Sequence, residues 1–385
     1  METTLHYDIE QVVRDRYAAG AQAPQAALCC PTEGYEGQYL EILPEEIIAK
    51  DYGCGDPTRY VQPGDVVVDL GSGAGKNCYM IAQKVGATGR VIGVDMNDEM
   101  LSLSRSYINE ISEKIGYRNL QFVKGKIQDL ALNQELLQSW LRRNPITSVE
   151  QLSALENESD RLRREQPLIA SETVDVVVSN CVLNLVRPQD KQTLFQEIFR
   201  VLKRGGRAVI SDIVCDEPPT AAILNDPDLW SGCIAGAFLE AEFLQMFEAV
   251  GFYGVEILAR QAEPWQTIDG IEFRSLTVQA YKGKEGPCLE RNQAVIYKGP
   301  WKAVQDDDGH TLWRGDRMAV CDKTFQIYTH PQGPYAQDVI AVPPHTEVPL
   351  EAAPLFNCRQ DERRSPRETK GQEYRTTTSA NQSCC

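Results

Sequence analysis

Five cysteines at four places carry the side chains best suited to chemistry: the adjacent pair Cys29 and Cys30 in ALCCP, Cys54 in DYGCGDP, Cys181 in SNCVLNLV and Cys233 in LWSGCIAGAF. All four places fall outside regular core strands or helices, and Cys181 and Cys233 follow segments that should open at the carboxyl edge of a sheet. A thiolate is at once a nucleophile, a redox group and a soft metal ligand. The chain holds twelve cysteines in 385 residues. In a chain of this length read as cytoplasmic, they point to thiol chemistry or metal binding and not to a disulfide framework. A zinc site is disfavoured, because no CxxC occurs and His6, His310, His330 and His345 show no ligand spacing.

A second constellation lies in residues 65 to 76, DVVVDLGSGAGK. Val66, Val67, Val68 and Leu70 form the apolar run of a buried parallel strand, and Asp69 sits at its carboxyl end, where open α/β sheets bind ligands. Gly71, Gly73 and Gly75 then let the backbone turn tightly beside a ligand. The spacing is GxGxG and not the GxGxxG of a dinucleotide loop. The next strand, RVIGVD, ends at Asp95, placed to meet ribose hydroxyls. Together these features predict a nucleoside-binding doubly wound domain, with a lean toward S-adenosylmethionine over NAD.

The positioning elements follow from periodicity. Ile9, Val12, Val13 and Tyr17 predict an N-terminal helix over 7–19 that covers the site, within a helical, thiol-bearing segment 1–60. The catalytic domain, 61–283, alternates strand and helix, with one helix expected across 98–115. After the strand LQFVKG, Ile127 and Gln128 fall where a loop could hold an adenine ring. Residues 131–172 interrupt the alternation as a charge-laced helical insertion, either an exposed hairpin or a lid. YGVEILAR and FRSLTVQAYK complete an expected seven-stranded sheet. Residues 284–345 read as a small β-rich module with a DDDG turn, and 346–385, ending in Cys384 and Cys385, as a disordered tail. Cys78 and Cys215 read as packing residues, and Cys288, Cys321 and Cys358 show no usable spacing.

The net charge of −16, from 39 basic and 55 acidic residues, disfavours a nucleic-acid backbone as partner, since affinity for it rests on Lys and Arg. No stretch approaches the ~20 apolar residues that cross a bilayer. Charges stand where a signal peptide would have its apolar core, so the chain reads as cytoplasmic with a small-molecule substrate.

ALCC, DYGCG, DLGSGAGKNCY, IGVDM, SNCVLNLV, RVLKRGGRAVISDI, LWSGCIAGA and AVIYKGP together resemble the arsenite S-adenosylmethionine methyltransferases. YGCG and SNCVLNL are the most particular of these. The resemblance spans roughly residues 10 to 300 apart from the insertion. It implies a class I, Rossmann-like methyltransferase fold, with Cys181 and Cys233 binding trivalent arsenic. Cys54 and one of Cys29 or Cys30 would join them or relay disulfides to thioredoxin or glutathione. It further implies that Tyr52, Gly71, Gly73, Asp95, Met96, Ile127 and Asn180 border the cofactor. Three features depart from the family: Gly232 where a glutamate is often found, Gln128 where an acid is frequent, and the insertion.

Trivalent arsenic is soft, so thiolates are its natural ligands. Three of them leave its lone pair free to accept a methyl group with no general base. Two other readings stand beside this one: methylation of another small molecule with incidental cysteines, and an inactive thiolate-rich metalloid-binding protein.

Overall fold

In the computed structural model, which describes residues 7–25, 28, 35–358 and 360–370, the β-branched run Val66–Leu70 forms strand β1. It is followed by β2 (Arg90–Asp95), β3 (Leu120–Lys124), β4 (Val174–Asn180) and β5 (Leu202–Cys215). These five pair in parallel in the order β3-β2-β1-β4-β5. Because β1 pairs with β2 on one side and β4 on the other, the chain reverses its direction of winding at β1. A crevice opens at that switch point, beyond the carboxyl ends of the strands.

Four further strands complete this sheet: β6 (Phe238–Leu239), β7 (Tyr253–Arg260), β8 (Gln266–Ile268) and β9 (Ile271–Tyr281). β9 runs antiparallel between β5 and β7. The main path thus holds seven strands, as expected, and the short β6 and β8 pair with β5 and β9 to make nine. Burial is near-complete along β1, β4 and the second half of β5, as a sheet covered on both faces requires.

The helix expected across 98–115 is two, Asp98–Ser106 and Ile108–Ile115. Tyr107 between them adopts φ −99° and ψ 0°, and its hydroxyl donates to Glu46. The insertion is a pair of helices, Gln134–Arg143 and Val149–Glu165, packed on each other. Arg163 ties the second of them to Asp129 at 2.9 Å.

The chain divides into two compact units at Lys282 and Gly283. The second is built from β10 (Ala294–Tyr297), β11 (Ala303–Gln305), β12 (Thr311–Trp313), β13 (Arg317–Ala319) and β14 (Val339–Val342), with a helix over Asp322–Thr329. β13, β10 and β14 form an antiparallel sheet, and β11 and β12 a hairpin whose tip is the DDDG turn. Val295, Met318, Val320, Phe325 and Tyr328 fill its core.

One expectation fails here. Residues 346–370 are not a disordered tail: Arg364 and Thr369 are buried, and Arg364 makes a paired contact to both oxygens of Glu290 at 2.8 Å. Low hydrophobicity misled the sequence reading, because this segment is held by ion pairs and backbone bridges, which hydropathy does not register. Residues 371–385, with Cys384 and Cys385, lie outside the described residues.

Candidate active site

A cleft of about 1050 Å³, counting its open mouth, lies at the carboxyl ends of β1, β2 and β4. Tyr52, Asp69, Gly71, Gly73, Asp95, Met96, Ile127, Gln128, Asn180 and Cys181 all line it. Asp95 accepts the backbone N–H groups of Gly73 and Asn97, one on each oxygen at 2.8 Å, which fixes the carboxylate while leaving each oxygen a further lone pair. A Cβ at Gly73 would meet nothing within 4 Å, so a ligand can approach this backbone closely.

Gly75 is a correction: it does not line the cleft. It caps the helix Lys76–Val85 at φ +92°, and a Cβ there would lie 2.7 Å from the Phe122 ring. Its role is close packing of helix against strand, the task that the third glycine performs in a dinucleotide loop.

Asp69 is buried, and burial, followed by the nearby carboxylates Asp51 and Asp95, pushes it up to about 7 against the Cys78 thiol's hydrogen bond. That bond, 3.1 Å long, means Cys78 is more than filler. Cys215 ends β5 fully buried, its thiol 3.3 Å from the Phe238 carbonyl oxygen.

The N-terminal helix, Ile9–Gln22, presents Ile9, Val13 and Tyr17 to the cleft along with Glu10 and Arg14. Tyr52 anchors it, donating from its hydroxyl to the Gly20 carbonyl at 3.0 Å. No residue of 131–172 lines the cleft, so the lid reading of the insertion gains no support.

Beneath the cleft sit three thiols. Cys54, Cys181 and Cys233 are 4, 6 and 3% exposed and belong to one apolar cluster with Ile213 and Trp230. The Cys181 thiol is within hydrogen-bonding reach of both other thiols. These contacts, with burial, hold it well above the ordinary thiol range, and burial raises Cys54 too. The Cys233 thiol lies 3.1 Å from the Cys181 carbonyl oxygen, and the Tyr17 hydroxyl is also in reach of it.

Both Cys181 and Cys233 take φ +64°. A left-handed backbone costs a non-glycine residue roughly 1–3 kcal/mol and tends to be kept where a side chain must be aimed. Cys181 directly follows the last residue of β4.

Asn180 supplies the third arm. Its Oδ1 accepts the N–H groups of Cys54 and Gly55 at 2.8 and 3.0 Å, while its Nδ2 donates to the Gly55 carbonyl and the Tyr35 hydroxyl at 2.8 and 3.1 Å. The neighbouring Gly53 has no room for a side chain, since a Cβ there would lie 2.1 Å from Asn180 Nδ2. Asn180, expected at the cofactor, therefore also clamps the loop that carries Cys54.

Asp212 was not anticipated. Its carboxylate and the Cys181 and Cys233 sulfurs lie within 4.8 Å of one another. Burial raises it to about 6, against the stabilising N–H groups of Ile213 and Leu183. Nothing in ISDIV distinguishes it from a strand residue. Arg16, also unforeseen, donates to the Asp228 carbonyl at 2.6 Å and the Ser231 hydroxyl at 2.8 Å, beside Gly232. Cys29 and Cys30 lie outside the described residues.

Residues 62–251 match the methyltransferase domain family, and residues 284–374 match a domain family of unknown function. The arsenite methyltransferase of Halobacterium salinarum is 36% identical over 273 residues, 65% of this chain and 59% of that protein. Those of Aquipseudomonas alcaligenes and Homo sapiens are 29% and 27% identical over 79% and 92% of this chain, and 82% and 88% of theirs. An arsenic(III) S-adenosylmethionine methyltransferase from Chlamydomonas reinhardtii shares the fold at a TM-score of 0.53 and 25% identity, over 87% of this chain and all of that one. Over most of its length the chain is similar to arsenite methyltransferases. Gly232 lies beside Arg16 and Gln128 lines the cleft, and neither belongs to the thiol cluster.

The cleft suits the family's cofactor, S-adenosylmethionine. The open approach at Gly73 admits a nucleoside, and Asp69 and Asp95 give a cationic ligand carboxylates to face. Among the described residues, no helix is long and apolar enough to cross a membrane.

Proposed function

We propose that this chain methylates trivalent arsenic, held by Cys181 and Cys233 with Cys54 as third thiol, at the expense of S-adenosylmethionine. The observation that carries this reading is the meeting of three buried thiols beneath the nucleoside-sized cleft.

The substrate suits protonated, buried thiols. Arsenous acid is neutral, and each arsenic–sulfur bond forms as a thiol proton leaves with a hydroxyl group as water. No net charge is therefore buried, whereas a divalent cation would require two or three thiolates in a site that resists them. Asp212 is close enough to accept a departing proton. S-adenosylmethionine supplies an electrophilic methyl group when bound. The three thiols hold arsenic with its lone pair unshared, and the apolar cluster around them excludes water. Fixing donor and acceptor in one site can supply ~7 to 11 kcal/mol by alignment alone.

Acceptance of a methyl cation by the lone pair leaves pentavalent arsenic. The thiolate of Cys29 or Cys30 then attacks the arsenic-bound sulfur of Cys54: a sulfur–sulfur bond forms, the arsenic–Cys54 bond breaks, and its electron pair returns to arsenic as the lone pair, leaving trivalent methylated arsenic on Cys181 and Cys233. Thioredoxin or glutathione then reopens the disulfide. Such reductants imply a cytoplasmic setting, in keeping with the free cysteines of the described residues.

The test is S-adenosylhomocysteine formation with arsenite, glutathione and thioredoxin. Turnover should require arsenite and fall at least ~100-fold in a Cys181→Ser, Cys233→Ser variant, as expected when the reacting atom loses its alignment. Undiminished turnover in that variant would favour another small-molecule substrate. For the relay, Cys54→Ser and a Cys29→Ser, Cys30→Ser pair should each permit one methylation but not repeated turnover.

A further inference from the structure

The C-terminal unit contains a second thiol cluster. The sulfurs of Cys288, Cys321 and Cys358, scattered in sequence, lie within 4.8 Å of one another. Three backbone connections bring them together. The segment at Cys288 pairs with that before Cys358, through Phe356 N–H to the Cys288 carbonyl at 2.9 Å and Glu290 N–H to the Pro354 carbonyl at 2.8 Å. Asp322 N–H donates to the Leu289 carbonyl at 2.8 Å, which draws in the start of the helix Asp322–Thr329. Ion pairs from Arg291 to Asp322 at 2.7 Å and from Arg364 to Glu290 at 2.8 Å brace the same junction.

We propose that Cys288, Cys321 and Cys358 form a second binding site for a trivalent arsenical, separate in composition from the methylating thiols. Cys321 is fully buried and caps its helix, with its sulfur 3.4 Å from the Thr324 N–H. Cys288 and Cys358 are partly exposed, which leaves a route for the ligand. Two sulfurs on one centre at the ~2.3 Å typical of metal–thiolate bonds can be at most ~4.6 Å apart. Small side-chain rotations therefore close the trio on a single atom.

The number of ligands selects the occupant. Structural zinc takes four protein ligands, and among the described residues no histidine, carboxylate or fourth cysteine joins the trio. Trivalent arsenic takes three. Arsenous acid and three thiols give one tris-thiolate arsenic and three waters: three arsenic–sulfur bonds form, three arsenic–oxygen bonds break, and nothing is oxidised or reduced. Naming arsenic as occupant rests on the proposed function; the site itself rests on the geometry of the trio.

The test uses the full chain with Cys29, Cys30, Cys54, Cys181, Cys233, Cys384 and Cys385 changed to serine, so that the trio remains. After incubation with arsenite and a phosphine reductant, then gel filtration, it should retain one arsenic per chain, with three sulfur neighbours by X-ray absorption. Adding Cys288→Ser and Cys358→Ser, both at partly exposed positions, should abolish retention while leaving the circular dichroism spectrum unchanged.

In the otherwise unaltered chain, the same pair of substitutions should remove one bound arsenic and leave S-adenosylhomocysteine formation within about twofold, since neither residue belongs to the methylating cluster. No retained arsenic in the trio-only protein, coordination by two sulfurs, or zinc in place of arsenic would each overturn the site. Failure of the proposed function would appear separately, as absence of arsenite-dependent turnover in the unaltered chain.

Discussion

Cys54, Cys181 and Cys233 lie at the carboxyl edge of a parallel sheet, beside a carboxylate and under a cleft, with two of the three on left-handed backbone. Cys288, Cys321 and Cys358 meet where loop segments and a helix start are joined by backbone bridges and ion pairs, and none of them takes a positive φ. Both clusters bring three sulfurs to one place, and the first is built next to a space for a second reactant. Thiols alone define what is bound, and the neighbouring cleft defines whether the bound atom reacts. Strain follows the same division, being kept where a side chain must be aimed at a partner and absent where three ligands have only to converge.

The sharpest way to break this contrast is Asn180→Ala. Three of the four hydrogen bonds that Asn180 makes hold the Cys54 loop against β4, and the fourth reaches the Tyr35 hydroxyl, so turnover should fall ~100-fold or more through misplacement of one thiol. Loss of these buried partners should also lower stability by about 1–3 kcal/mol in urea unfolding. The trio-only arsenic stoichiometry should be untouched by the same change. If turnover survives, positioning of Cys54 is not what separates the two clusters.

Burial gives the next largest effect. Cys288 is partly exposed, whereas Cys54, Cys181 and Cys233 are nearly sealed, so alkylation followed by peptide mapping should label Cys288 at least ~10-fold faster than those three. Arsenite should protect members of both clusters. Equal rates would mean that the buried thiols open readily to solvent.

A smaller effect concerns pH and only the first cluster's cleft. Burial raises Asp69 from 3.8 to about 7, so in the ligand-free protein it gains its charge across neutrality. Affinity for the cationic S-adenosylmethionine should therefore be a few-fold higher at pH 8 than at pH 6, by calorimetry, and Asp69→Asn should flatten the difference. The sign for stability is opposite. The folded state holds a proton that the unfolded chain has lost between 3.8 and about 7, so this group's contribution falls as pH rises through that window.

The smallest effect is expected for Cys288→Ser, at a partly exposed loop position. It should change the unfolding free energy by no more than ~0.5 kcal/mol. Addition of arsenite should then separate variant from parent, since a ligand that binds only the folded state stabilises it.

The sheet was legible because its signals are local. β-branched runs, a glycine-rich turn and Asp95 at a strand end each announce themselves within a few residues, and DYGCG and SNCVLNL marked two thiols of the buried cluster. The break at Tyr107 was not legible, since the apolar spacing of 98–115 continues through it. Asp212 was hidden because a carboxylate in ISDIV looks like any strand residue until β5 is placed beside β4. The order of residues 346–370 was missed because ion pairs such as Arg364 with Glu290 leave no trace in hydropathy.

The sequence by itself determined the doubly wound sheet and the ligand edge of that sheet, because periodicity and turn chemistry act between near neighbours, and a family resemblance offered Cys54, Cys181 and Cys233 as candidate ligands. The tertiary structure alone decided that Asn180 clamps Cys54, that Asp212 faces two thiols, and that Cys288, Cys321 and Cys358 share a site. Each of these depends on contacts between segments far apart in the chain, where direction and distance are set by packing and backbone pairing and not by the spacing of residues along it.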